Sequence, residues 1–270
     1  MSTDADRRDL LVVIVKAVWR SPVEGRLLPA FEPSAPRERP ERFDERSASI
    51  RLPSDLAPEK PGTEVLLLGH ARHPQAYPDA RWVDVTLAVE RERSLLRKSL
   101  RVFGPRAWER GPDGLVPSKP ARYEETELRW EWSRRDTGAN PVGAPIELGG
   151  PCHRIEHSDG REAPSGFGVV LPHWEPRRSR SGRAQSDEPM PYPPRDRDPR
   201  FYCSAPDDQW LARPLSGGET FIVTGVHPRS AWTFVLPSAH PEVNVKIGRR
   251  EERFLPHLDT VVLDADRERV

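Results

Sequence analysis

The chain has 270 residues, and its 42 lysines and arginines are matched by 42 acidic side chains, for a formal net charge of zero. That balance argues against a non-specific nucleic-acid binder, which carries a clear basic excess; the length accommodates one large domain or two small ones with ample core. Proline is over-represented at 31 residues, roughly twice the usual share of about 5%. Trp82 to Gly104 and Leu215 to His227 contain none, while Pro151 to Pro214 contain eleven. The prolines punctuate segments that otherwise read as strands. We read a single β-rich domain over 1–270 with an irregular, proline-rich insertion around 151–214.

Leu10 to Trp19 is apolar and β-branched and reads as a central strand. Its longest apolar part, Leu10 to Val18, is interrupted by Lys16 and falls far short of the ~20 residues that span a bilayer. Asp4 to Asp9 mixes both charge signs and no small-residue cleavage site follows, so no membrane segment and no signal peptide are expected and the location is read as cytoplasmic. Gly25 marks a turn, Glu32 to Glu45 a charged surface loop, and Ser47 to Leu52 a short strand. In Ser54 to His70 (SDLAPEKPGTEVLLLGH), Pro58 and Pro61 hold φ and cannot donate to a ladder, Gly62 supplies a tight backbone exit, and Val65 to Gly69 follows as a buried strand.

The strongest local signal is Trp82 to Phe103. Val83, Val85, Leu87 and Val89 alternate with Asp84, Thr86 and Ala88, and Leu100 and Val102 alternate with Ser99, Arg101 and Phe103. This period of two predicts a hairpin with a charged turn over Glu90 to Ser94. Leu128, Trp130 and Trp132 alternate with Arg129, Glu131 and Ser133 and read as a strand, with a short helix as the alternative. Asp136 to Gly143 is a turn region broken by Asn140-Pro141.

Pro151 to Pro199 has little periodicity and is long for a loop in a compact domain. Gly166 to Leu171 reads as one strand within it, and Arg177 to Asp198 as poorly ordered. The basic run Arg177, Arg178, Arg180 and Arg183 is followed by Asp187 and Glu188 and reads as a solvated loop. Ser204 to Ala212 reads as a short helix capped by Ser204, with Pro206 in its first turn and Asp207 and Asp208 at the positive end of its dipole. Four strands close the chain: Thr220 to Val226, Trp232 to Leu236, Val243 to Ile247, and Leu258 to Leu263. Short strands separated by turn residues predict a mainly β architecture of antiparallel sheets, a sandwich or barrel-like, with long proline-rich loops and few short helices.

Chemistry-bearing constellations are sparse. Cys152 and Cys203 are expected as free thiols. Cys152, His153 and His157 form C-H-x-x-x-H, but Pro151 and Gly160 flank it, a helix is not expected, and no second ligand pair has zinc-site spacing. His70, His73, His227 and His240 read as ordinary strand-end or loop residues. There is no G-x-S-x-G elbow, phosphate-binding loop or dinucleotide fingerprint, and Ser165-Gly166-Phe167-Gly168 lacks the leading glycine. Asp207 and Asp208 have the spacing of neighbouring acids at a helix start rather than of a glycosidase pair. No catalytic, cofactor-binding or metal residue is assigned. Pro172-His173-Trp174 and Gln209-Trp210 place tryptophans on irregular segments, where they either meet a partner or close the core beneath.

Several runs, in order, carry a resemblance: Leu11 to Trp19 (LVVIVKAVW), Gly25 to Ala30 (GRLLPA), Ser54 to His70, Lys98 to Trp108 (KSLRVFGPRAW), Asn140 to Gly143 (NPVG), Pro164 to Trp174 (PSGFGVVLPHW), Phe201 to Trp210 (FYCSAPDDQW) and Leu258 to Leu263 (LDTVVL). Together they resemble a bacterial family known as domain of unknown function 2169. Its members tend to be encoded beside type VI secretion genes, with tip, PAAR-repeat spike and pentapeptide-repeat proteins as neighbours. The resemblance implies an adaptor or chaperone that helps load an effector onto the spike. The chain departs from the family where Glu125 to Trp132 replaces an aromatic and a Gly-Gly pair, which leaves effector choice open. It also ends soon after Leu263, where relatives continue into another strand, so the partner of the last strand is open.

The expectation is therefore a non-enzymatic adaptor that needs no cofactor, binds a secretion effector or spike protein, engages no nucleic acid and does not insert into a membrane. His173, Trp174, Gln209 and Trp210 are the candidate partner surface, and exposed strand edges a route to strand addition. The alternatives are an enzyme using His70, His173 or Asp207, and a carbohydrate-binding sandwich with stacking tryptophans.

Overall fold

A computed structural model describes all residues except 1, 4–8, 11, 21–27, 31–34, 74, 124, 184–192, 228–230 and 239–240. Among the described residues the molecule is mainly β, with no α-helix and four single 3-10 turns, and no helix is long and apolar enough to cross a membrane. Twelve strands carry the argument: β1 (Thr63–Leu68), β2 (His70–Arg72), β3 (Trp82–Arg91), β4 (Arg93–Phe103), β5 (Glu125–Glu127), β6 (Ile155–His157), β7 (Trp210–Leu211), β8 (Thr220–Thr224), β9 (Trp232–Val235), β10 (Val243–Ile247), β11 (Arg250–Phe254) and β12 (Thr260–Asp264). The expected turn at Gly25, the acids Asp187 and Glu188, and His240 lie outside the described residues.

The main sheet is five-stranded and antiparallel, in the order β6-β4-β3-β8-β9. The β3–β4 hairpin forms as its period-two pattern predicts, with a turn at Glu92 (φ 56°) and a register shift between Ser94 and Leu96. Val83, Val85, Leu87 and Val89 face inward with Leu96, Leu100 and Val102 of β4, Phe221 and Val223 of β8, and Trp232 and Phe234 of β9. Phe221 and Phe234 stack at 5.1 Å. Opposite lies a smaller sheet, β7-β1-β12, whose β1 and β12 run parallel with Val65 beside Val261 and Leu67 beside Leu263. These four side chains complete the same core. The two sheets form open layers, none closed into a barrel. The last strand is thus paired within the chain, and the backbones of Val270 and Trp19 exchange two hydrogen bonds.

Every residue of β1 is buried. Its outer face, through Leu66, meets Ile50, Val169 and Ala205, so irregular segments make a third layer. Gly166 to Val170 is buried there and Leu171 half-buried, but the segment is not a strand, and Trp130, Val170 and Trp174 pack just beyond. Entry into β1 needs Gly62: its φ is +92°, and a Cβ would sit 2.1 Å from the Leu211 carbonyl oxygen.

Buried charges fix this third layer. The Glu64 carboxylate is fully buried. It accepts from the Lys60 ammonium (2.6 Å), from the backbone N–H groups of Ser204 and Ala205, and from the Ser204 hydroxyl. This explains why Ser204 to Ala212 does not form the expected helix. Ser204, the expected cap, is committed to Glu64 instead, and only a single turn over Asp207–Gln209 precedes β7. Lys98 lies on the core-facing side of β4, opposite Leu87. Its ammonium donates to the Gly166 carbonyl (2.6 Å), Asp208 (2.7 Å) and the Gln209 side-chain oxygen (2.8 Å). Burial lowers its pKa, opposed by the charge of Asp208. Arg177 donates to the carbonyls of Val170 and Phe201.

Two other expectations are corrected. Of the predicted first strand, Leu10 to Trp19, only the ends are β: Leu10 in Asp9–Leu10, which pairs with Ser2–Thr3, and Val18 and Trp19 in Val18–Arg20, which pairs with Leu28–Ala30. Between them 12–17 is without a strand partner, and Val12, Val13 and Val15 are exposed. The Leu128 to Ser133 segment is not a strand: it follows β5, which pairs with β2, and carries a 3-10 turn over Trp130–Trp132. That turn directs the Glu131 carboxylate at Ser47 and at the backbone N–H groups of Ala48 and Ser49.

Candidate functional site

The four residues expected to meet a partner separate on burial. Trp174 is fully buried, edge-on to Trp130 at 5.8 Å, with its indole N–H on His173 Nε2. Gln209 is fully buried and donates to the carbonyls of Val65 (2.7 Å) and Phe167 (2.9 Å). Both close the core beneath their loops. His173 is exposed, and Trp210 is half-buried with its indole N–H on the Pro61 carbonyl.

The groups available to an enzyme are similarly engaged. His70 Nδ1 lies 2.8 Å from Asp266, whose hydrogen bond raises the imidazole pKa against the effect of burial. Asp207 holds Arg180 through two bonds. A sequence Cys152–His153–Glu156–Arg106 has the look of a nucleophile relay, with Sγ 3.5 Å from His153 Nδ1 and His153 Nε2 2.8 Å from Glu156. Yet Cys152 has no exposed surface and burial raises its thiol pKa, the opposite of an activated nucleophile. His157, the third member of the C-H-x-x-x-H pattern, lies instead beside Arg161. Both cysteines are free and buried, and among the described residues no group of three or more His, Cys, Asp or Glu could hold a metal.

A groove of about 860 Å³ lies at one end of the main sheet. One wall is 76–84, the loop entering β3 and the first residues of that strand; the other is Thr224 at the end of β8, Gly225 and His227 after it, and Ala231 just before β9. Alanines, Pro78 and Val83 make it largely apolar, and two aromatics stand out of it, Tyr77 at 68 % and Trp82 at 46 % exposure. Trp82 is the one exposed tryptophan of the eight. Its ring is held by the Arg101 guanidinium, 4.1 Å from the centroid, which is itself fixed by a fork on Asp84 (2.9 and 3.1 Å).

The walls are preorganised. Gly104 N donates to the Arg81 carbonyl, Tyr123 N to Ala80, and Arg72 N to Gly225. Gly225 (φ +77°) approaches so closely that a Cβ would lie 2.5 Å from the Asp84 carbonyl oxygen. Beside the groove runs β9, paired through β8 on one side and with no strand partner on the other among the described residues. Val235 on its outward face is 56 % exposed. Aromatic and small apolar walls next to an open strand edge suit binding of an extended segment; the walls carry no serine or cysteine, and none of His70, His173 and Asp207. A second pocket, about 490 Å³ and lined by Asp44, Arg46, Arg129 and Glu131, is polar, with Asp44 paired to Arg129.

The sequence reading missed this groove. Trp82 was legible only as the first residue of a strand, and Tyr77 sits in a segment with no periodicity. No curated protein and no solved structure matches the chain. The family model described as "Uncharacterized protein conserved in bacteria (DUF2169)" matches residues 6–270, nearly the whole length, and the chain belongs to that bacterial family.

Proposed function

We propose that this protein is a non-enzymatic adaptor that captures an extended segment of a partner protein, and that the partner is a type VI secretion effector or the spike component onto which it is loaded. The observation that carries the binding reading is the apolar groove that displays Tyr77 and Trp82 beside β9, whose outer edge pairs with no strand among the described residues. Strand addition supplies backbone hydrogen bonds without sequence preference, and pockets for alternate side chains supply the choice of partner. Tyr77 and Trp82 have the size and rigidity of interface hot spots. The secretion assignment rests on the family resemblance alone.

The test uses purified protein and a purified effector or spike protein from the same gene cluster, with affinity measured by calorimetry. Trp82→Ala and Val235→Lys should each weaken binding by about tenfold or more, equivalent to about 1.4 kcal/mol. His173→Ala, away from the groove, should leave it unchanged. Absence of binding from folded protein to every such candidate sinks the secretion reading, and binding that ignores both groove variants sinks the site. Glycan binding dependent on Trp82 would favour the carbohydrate reading instead.

A further inference from the structure

The β10–β11 hairpin is a two-stranded sheet to itself, with none of its side chains in a hydrophobic core cluster. Cross-strand partners share a face, so the register sorts its side chains into two sides. Asn244, Lys246, Glu251 and Arg253 make a wholly polar face on which Lys246 lies opposite Glu251. The other face carries Val243 opposite Phe254, Val245 opposite Glu252, and Ile247 opposite Arg250. Ile247 is 69 % exposed and Phe254 48 %, and Leu255 beyond the strand end is exposed as well. A lone hairpin is marginal in water, and this β-branched row, with Val243 and Val245 half-buried and Ile247 exposed, gains free energy when it is covered further.

The charges on that face specify the cover. Along one row lie Val243, Val245 and Ile247; along the other, Phe254, Glu252 and Arg250. When two such faces meet about a two-fold axis lying in the interface and perpendicular to the strands, each row meets its own copy reversed. With the axis midway between residues 245 and 247, Val245 covers Ile247 of the second copy and Ile247 covers its Val245. In the same register Glu252 meets the copy's Arg250, and Arg250 meets its Glu252. A two-fold along the strands would instead bring Val245 over Glu252. The face is therefore self-complementary in one arrangement, as an isologous interface requires, and opposite charges across it fix the register.

We propose that the β10–β11 hairpin is a dimerisation arm, and that its occupant is the same face of a second copy of this chain, held by the Val245–Ile247 row and two reciprocal Arg250–Glu252 ion pairs. The patch is small, which places the dimer among weak, transient associations. The proposal is independent of the groove and of any secretion partner.

Sedimentation velocity of the full chain over a wide concentration range tests it. Wild type should show a reversible monomer–dimer equilibrium. Arg250→Glu or Glu252→Arg alone sets like charges against each other and should raise the dimer dissociation constant by about tenfold or more. The double variant Arg250→Glu/Glu252→Arg exchanges the charges and should recover most of the loss; Ile247→Asp should abolish the dimer. Circular dichroism and melting temperature should be unchanged in all four. A wild type that stays monomeric throughout overturns the proposal, as does a double variant no better than the single ones.

Discussion

Individual buried charges do most to shape the irregular third of this molecule. The Glu64 carboxylate holds Lys60 and the backbone at Ser204 and Ala205. Glu64→Gln leaves Lys60 buried without its counter-charge and should destabilise the fold by about 3–5 kcal/mol, read by urea unfolding; a cost below about 1 kcal/mol would show that the cradle contributes little. Lys98→Met removes the donor shared by Gly166, Asp208 and Gln209 and should cost about 1–3 kcal/mol through the acceptors left unpaired. Glu156 gives a pH signature. Burial alone raises its pKa, but hydrogen bonds and charge from His153 and Arg106 outweigh this and bring it to about 2 against 4.5 for the free side chain. A depressed folded pKa contributes stability that is complete above about 4.5 and is lost as pH falls towards about 2. Stability measured across that window should decline less steeply in Glu156→Gln than in wild type; an identical slope would remove Glu156 from the account.

At the scale of elements, what could be read from the sequence was whatever is local. The β3–β4 hairpin and strands β8, β9 and β10 have clean period-two patterns, and the apolar run of β1 reads as buried on both sides, as it is. Long-range interactions were not legible. Nothing in Ser204 or Asp207 shows that Glu64, 140 residues away, will draw the Ser204 backbone into a cradle and leave only one helical turn. Nothing local shows that Lys98, a charged residue in an alternating strand, points inward to partners on two later segments. The run at 12–17 has strand-forming composition yet no ladder, because composition specifies a willingness to pair and not a partner. Trp174 was placed on an irregular segment and Gln209 in a short helix that is only a single 3-10 turn, but which face of such a segment is covered depends on the layer below. One consequence is testable for the arm: replacing 243–254 by a short Gly-Ser turn removes no residue of the hydrophobic core clusters. The melting temperature at low protein concentration should stay within about 2 °C of wild type, a shift that for this size corresponds to about 1 kcal/mol; a large drop would mean that the arm supports the body.

For the molecule as a whole, two open sheet layers with an irregular third layer place rigid β structure behind two exposed features, the groove with its neighbouring edge at one end of the main sheet and the projecting hairpin. Zero net charge gives no long-range steering towards an acidic or basic partner, so selectivity falls to shape and apolar contact. The central claim is that an extended segment of a partner protein adds at β9 and seats against Tyr77 and Trp82. Hydrogen-exchange mass spectrometry of the purified protein, with and without a saturating purified effector or spike protein, tests it most directly. The account predicts new protection concentrated in 76–84 and 232–235, with 63–68 unchanged because it is already buried. A complex whose protection falls elsewhere and leaves those two segments exchanging as in the free protein would contradict it.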